Sequence, residues 1–363
     1  QNTSLLEKEA KLSYHTSWRA VHEYHGTTSQ QINLSYQLIV PYIQKFKEQN
    51  PDSVVDHHCC EQNHLKWVFL GLPTANNVLA NVRRVIALDS CHMKSVHRGT
   101  LYIASVKTAF EQVLLLAFAL SDCAESKPSW INFLSSLKQT CPNILSSQHL
   151  TYDGTLEDEM TELQQYTSDY VFVSDHQKGL LPALRQVFPE CLSTFCVQHI
   201  VSNVQARFPL KVADYVFPLA STFSTLQEET YFFKIAQTSP QAEQYLRNID
   251  KTSWRSTSWI ENPNLPPRFR CLTSNMSESI NSKYAALRLL PWMGVIQGVV
   301  EDLSMWTSTQ QDIHSSKNPE TVVDEAKIHI VRNWKEGIAM RVWPVNDTNT
   351  HFHVSAEYAS TKG

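Results

Sequence analysis

Three apolar runs in close succession, separated only by short polar turns, constrain this chain more than any other feature. Residues 83–93 (RRVIALDSCHM), 99–110 (GTLYIASVKTAF) and 112–122 (QVLLLAFALSD) are rich in Val, Ile, Leu, Phe and Tyr. That is strand composition, and connections this short let the strands pair as a meander. The period then lengthens. In 126–142 (SKPSWINFLSSLKQTCP), Trp130, Phe133, Leu134 and Leu137 fall on one helical stripe, which Pro142 stops. After an acidic stretch (DGTLEDEMTELQQ) come a strand (DYVFVSD), a helix (GLLPALRQVF), a fifth strand (LSTFCV) and a helix (QHIVSNVQARF). The order β-β-β-α-β-α-β-α predicts an α/β protein with a mixed five-stranded sheet and flanking helices.

The segments around this core divide by pattern. Residues 1–80 predict an N-terminal helical region, with Gly26 and Asn50-Pro51 as stops. Its polar end, DSVVDHHCCEQNHLKW, carries His57, His58, Cys59, Cys60 and His64. Their spacing fits no zinc-finger pattern and reads as a solvated loop. Residues 81–205 form the predicted core and 206–270 a helical insertion (YVFPLASTF, ETYFFKIAQ, AEQYLRNI). Residues 271–315 return to the core, and the tail 316–363 holds two strand-like runs, AMRVWPV and THFHVSA.

Composition excludes some functions. A hydrophobic fraction of 42% marks a globular chain, and the 9 glycines form neither of the common phosphate-cradling loops. A nucleotide cofactor is therefore not expected. Eight cysteines without a C-x-x-C pair or a regular framework predict reduced thiols and an intracellular protein. No apolar run approaches the ~18 residues of a membrane span, and the first residues do not read as a signal peptide. Net charge is −4, so work on nucleic acid would use a local patch or another domain.

The chemistry lies at strand ends. Val171, Phe172, Val173 and Ser174 deliver Asp175, as Val85, Ile86 and Leu88 deliver Asp89. A charge at the rim of a core is costly. Asp175 could cap the next helix. If the first and fourth strands are neighbours, however, the two carboxylates face each other, and a hard divalent cation relieves their repulsion. A third acid, Glu278, follows Asn275 by three, which is also capping-box spacing. On a helix, Met276, Ile280, Tyr284 and Leu287 form the apolar stripe, while Glu278 and Asn281 share another face.

Three blocks, ALDSCHMKSVHRGTLYIASVKTAFEQVLLLAFALSDCAESKPSWINFLSSLK, VFVSDHQKGLLPALRQVFPECLSTFCVQHIVSNVQARF and SNMSESIN, together resemble the catalytic domain of Mutator-like element (MULE) transposases. The resemblance spans about Trp18 to about Val345. Where the commoner pattern has glycine after the first acid, this chain has Ser90. It implies an RNase H-like fold, with a helical insertion before the last catalytic helix. It further implies an Asp89–Asp175–Glu278 triad holding two Mg²⁺ or Mn²⁺ ions, with Glu261 and Glu301 as weaker choices for the third acid. The implied activity is cleavage of DNA at transposon ends and transfer of the 3′-hydroxyl into target DNA. The implied setting is the nucleus, with transposon terminal inverted repeats and target DNA as partners, a homodimer or higher oligomer, and no membrane.

Cys196 and His199 match the family's C-x-x-H, read as structural or DNA-facing near the active site. Lys94 and Lys178 stand where they could touch phosphates, although ordinary surface lysines explain them too. Absence of the family's zinc modules predicts a catalytic fragment. The competing function is a domesticated, DNA-binding transcription regulator without catalysis. A simple nuclease on RNA–DNA hybrids or DNA junctions fits less well, since it needs no helical insertion.

Overall fold

The computed structural model describes residues 29–79, 82–95, 97–108, 111–145, 166–175, 179–262, 264–268, 271–314, 340–344 and 352–356. The three apolar runs form β3 (Val85–His92), β4 (Thr100–Lys107) and β5 (Val113–Ser121), each antiparallel to the next. Helix α3 (Lys127–Thr140) follows. The Ser126 side chain caps it by accepting from the Ser129 N–H, and Pro128 sits in its first turn, where no helical bond is lost. Its stripe of Trp130, Phe133, Leu134 and Leu137 is fully buried, with the Trp130 ring 4.8 Å from that of Tyr102 and perpendicular to it. The parallel strands β6 (Val171–Ser174) and β7 (Leu192–Phe195) flank α4 (Leu180–Val187).

The sheet has seven strands, not five. Ahead of the meander lie β1 (Val54–Cys59) and β2 (Leu65–Gly71), preceded by α1 (Ser29–Gln49) and followed by the short α2 (Ala75–Leu79). The full order is β1-β2-β5-β4-β3-β6-β7, with β3-β6-β7 parallel and the other pairs antiparallel. The expectation of a mostly helical region up to residue 80, with its His- and Cys-bearing stretch a solvated loop, is therefore corrected where β1 and β2 stand. His57 and His58 lie on β1, paired with Val68 and Trp67. The physical reason is that β1 is an edge strand, where exposed polar residues such as Asp56, His57 and His58 are tolerated and guard against further pairing. The turn is closed by Cys60 and His64, with Asn63 at φ 60°.

The insertion is built from α5 (Val197–Arg207), α6 (Leu210–Ser221), α7 (Thr225–Thr238), α8 (Pro240–Arg247) and the short α9 (Ser258–Glu261). It has a core of its own, in which Val204, Val216, Leu219, Phe232, Ile235, Leu246 and Trp254 are fully buried. That core begins at Phe195, so α5 shares it although the sequence pattern assigns α5 to the sheet domain. The chain then returns through α10 (Asn275–Lys283), which packs on β3, β4 and β5, and α11 (Trp292–His314), which packs against α1. The two tail strands, β8 (Met340–Pro344) and β9 (Phe352–Ala356), form a separate antiparallel pair.

Candidate active site

The register of β3 on β6 decides where the two aspartates go. Val85 pairs with Val171, Ile86 with Phe172 and Ala87 with Val173. Two residues further along stand Asp89 and Asp175, at the same level. Asp175 lies just past the end of β6, whereas β3 runs on to His92, so Asp89 stands within its strand and not at its end as expected. Side chains alternate with period two, so both fall on the face of Ala87 and Val173. That face is covered by α10. Val85, Ala87 and Val173 bury against Met276, and the Ser105 and Ser277 hydroxyls meet at 3.3 Å. Asp175 is 6% exposed and Asp89 is partly buried. Burial, then the Asp175 charge and more weakly Glu278, push the Asp89 carboxyl up to about 7. The Ser90 N–H, donating to Asp89 Oδ1 at 2.8 Å, and His199 pull the other way.

Neither acid that could have been a helix cap is one. Helix α4 starts at Leu180 with Gly179 as its N-cap, well past Asp175. Gly179 holds φ 103°, and a Cβ there would come within 2.6 Å of the Lys127 backbone nitrogen. Both facts demand glycine where the chain passes the start of α3. Lys178 lies outside the described residues. In α10 the N-cap is Ser274, with no side-chain cap bond. Glu278 therefore stands four residues past the cap, and capping-box spacing is not met.

Glu278 is exposed, while Met276, Ile280 and Tyr284 of the same helix are buried. Asn281, one turn on, reaches the first acid: its Nδ2 donates to Asp89 Oδ2 at 2.6 Å. The Cys91 thiol donates to Asn281 Oδ1 at 3.0 Å and so fixes the amide's orientation. Cys91 was not singled out from sequence. The available signal was its place two residues after Asp89, on the same face of β3. The weaker choices for a third acid stand elsewhere: Glu261 pairs with Lys251, and Glu301 lies near Tyr42.

Cys196 is the N-cap of α5, its N–H bonded to the Ser174 carbonyl at 2.7 Å, and His199 lies in the first turn. The Ser274 N–H donates to Cys196 Sγ at 3.3 Å, tying α10 to α5. Burial pushes the Cys196 thiol up, but His199 and Ser274 together bring it below its ordinary value. Contact with the Cys196 sulfur, opposed by burial and helped by Asp175 and Asp89, raises His199 to about 9. Ligand atoms of Cys196, His199 and Glu278 all lie within 4.8 Å of one another. Among the described residues no other set of three or more potential metal ligands is gathered so tightly, the three acids included.

Lys94 is exposed two residues past β3, its N–H bonded to the Arg288 carbonyl at 2.9 Å. With His92 and Arg98 it borders a cleft of about 550 Å³ at the end of β3 and β4. All eight cysteines are free thiols. No helix among the described residues is long and apolar enough to cross a membrane. Fold and site together define an α/β protein with a seven-stranded mixed sheet flanked by helices, carrying one acid within β3 and a second just past the end of the adjacent parallel strand β6. No family model matches the chain, and no match to a curated protein was found.

Proposed function

We propose that this chain is a DNA transposase of the Mutator-like class with an RNase H-like core. It would cleave DNA at transposon terminal inverted repeats and transfer the 3′-hydroxyl into target DNA. The observation that carries the reading is the placement of Asp89 and Asp175 at one level and on one face of β3 and β6. The meander followed by two parallel strands, and a helical insertion between Asp175 and Glu278, are further support.

The donor set fits Mg²⁺ or Mn²⁺. It consists of hard carboxylate oxygens, and the Asp175 charge is close enough to disfavour that of Asp89. Asp89, Asp175 and Glu278 would hold two such ions. When bound, they would activate a water or 3′-hydroxyl and stabilise the leaving oxygen. Asn281 orients Asp89 through its 2.6 Å bond, and Asp89 would hold a metal as the carboxylate. Glu278 is exposed, and its charge acts weakly on Asp89. Lys94 and Lys178 would meet phosphates and position the duplex. On this reading the protein works in the nucleus as a homodimer or higher oligomer, with no membrane partner, because two ends must be held together.

One observation favours the second reading, a domesticated DNA-binding transcription regulator: Glu278 is gathered with Cys196 and His199 more tightly than with the aspartates. The deciding experiment is Mg²⁺- or Mn²⁺-dependent cleavage and strand transfer on DNA carrying the element's ends, with Asp175→Asn as control. Activity lost in the variant supports the transposase. Binding without cleavage, identical in both proteins, supports the regulator.

A further inference from the structure

We infer that Cys196, His199 and Glu278 form a second kind of metal site, one for a Zn²⁺-class cation, which borrows Glu278 from the carboxylate centre. The inference rests on these three residues and stands whether or not the protein cuts DNA. A thiolate, an imidazole and a carboxylate are the donor types that Zn²⁺ and Co²⁺ take, whereas Mg²⁺ selects oxygen alone. Their ligand atoms already lie within 4.8 Å of one another, so small side-chain rotations bring them onto one ion. Three protein donors with an open fourth position make a tetrahedral site that water or a phosphate oxygen completes.

Three structural details point to a ligand there. His199 Nδ1 is buried and makes no hydrogen bond. The Cys196 sulfur accepts from the Ser274 N–H, an arrangement that supports sulfur in its anionic, ligating form. Cys196 itself is fully buried, which suits a small ion better than a bulky electrophile and so disfavours a role as nucleophile. The backbone holds the donors in place. Cys196 and His199 share the first turn of α5, and the bond from Val197 N–H to the Leu272 carbonyl at 2.7 Å anchors that turn to the segment leading into α10. Occupation by Zn²⁺ would turn Glu278 toward α5 and away from Asp89 and Asp175.

Titration of the metal-free protein with Co²⁺, followed by absorption spectroscopy, tests the site directly. The expected result is one saturable thiolate-to-cobalt charge-transfer band with ligand-field bands in the visible, all displaced by Zn²⁺. Cys196→Ser removes the charge-transfer band. His199→Asn and Glu278→Gln alter the ligand-field bands and weaken Zn²⁺ binding by more than about 100-fold, beyond the ~10–100-fold loss typical of an outer partner. Asp89→Asn and Asp175→Asn retain the full spectrum. Circular dichroism of each metal-free variant verifies that it is folded, and the wild-type spectrum is a test that no variant can confound. Absence of the band in the wild-type protein overturns the proposal. So does a band that survives Cys196→Ser, which assigns the ion to another cysteine, or one lost in Asp175→Asn, which assigns it to the aspartates. A protein that fails to cleave DNA but gives the expected spectrum sinks the transposase reading and leaves this one standing.

Discussion

The helical insertion and the sheet both bury charge, but they treat it in opposite ways. In the insertion, Arg255 pairs with Glu228, and both are nearly inaccessible to solvent. Buried Arg268 donates to the Trp254 carbonyl at 3.0 Å and the Ser256 hydroxyl at 2.9 Å. Opposite charge or a carbonyl answers each cation, as a structural role requires. Where β3 runs beside the end of β6, like lies near like. Burial, then the Asp175 charge, pushes the Asp89 carboxyl up to about 7, and the Ser90 N–H and the His199 imidazole beside both acids pull it back. The difference separates opposite charges paired in a core from like charges gathered at one place.

The sharpest way to break the comparison is to remove charge from each side. On the proposed transposase reading, Asp175→Asn is expected to lower DNA cleavage by about 10³-fold or more, since a bound metal would supply several kcal/mol of transition-state stabilisation. In the insertion the expected loss is one of stability. Glu228→Ala strands a buried guanidinium and should cost about 3–5 kcal/mol in denaturant unfolding, while the carboxylate pair keeps its titration.

Acidity sharpens the contrast. The folded Asp89 carboxyl sits at about 7 against 3.8 for the unfolded chain, so between those values the folded state keeps a proton that the unfolded state has lost. Its contribution is fully present below 3.8 and is lost as pH rises through about 7, a change of up to a few kcal/mol. Melting the metal-free protein at about pH 5 and about pH 8 should reveal that loss. Asp89→Asn should flatten it, and Mn²⁺ should offset it at the higher pH. The smallest effect expected is that of Ser105→Ala, which removes the bond to Ser277 and should cost about 1 kcal/mol in denaturant unfolding.

Much of the sheet domain was legible because burial imposes a period. The meander, the α3 stripe and the strands that carry Asp89 and lead to Asp175 all declare themselves through apolar spacing, and the shared offset of the two acids follows from pairing Val85 with Val171. That β3 runs on through Asp89 to His92 did not, because its last residues are polar. β1 was not legible. As an edge strand it exposes Asp56, His57 and His58, with no apolar face to mark it. The meeting of Cys196, His199 and Glu278 was hidden for a different reason. It depends on the hydrogen bonds that join α5 to the start of α10, across an insertion whose path carries no signal in local sequence. Asn281 was placed on the helix face of Glu278 from spacing, but its bond to Asp89 and the part played by Cys91 needed the third dimension.

The central claim is that Asp89 and Asp175 gather to hold a hard divalent cation. Electron paramagnetic resonance of Mn²⁺ titrated into the metal-free protein measures this without DNA or turnover. The account predicts saturable Mn²⁺ binding that is lost in both Asp89→Asn and Asp175→Asn and retained in Cys196→Ser. Mn²⁺ binding equal in wild type and both aspartate variants would contradict it, and the two acids would then have no part in holding a cation.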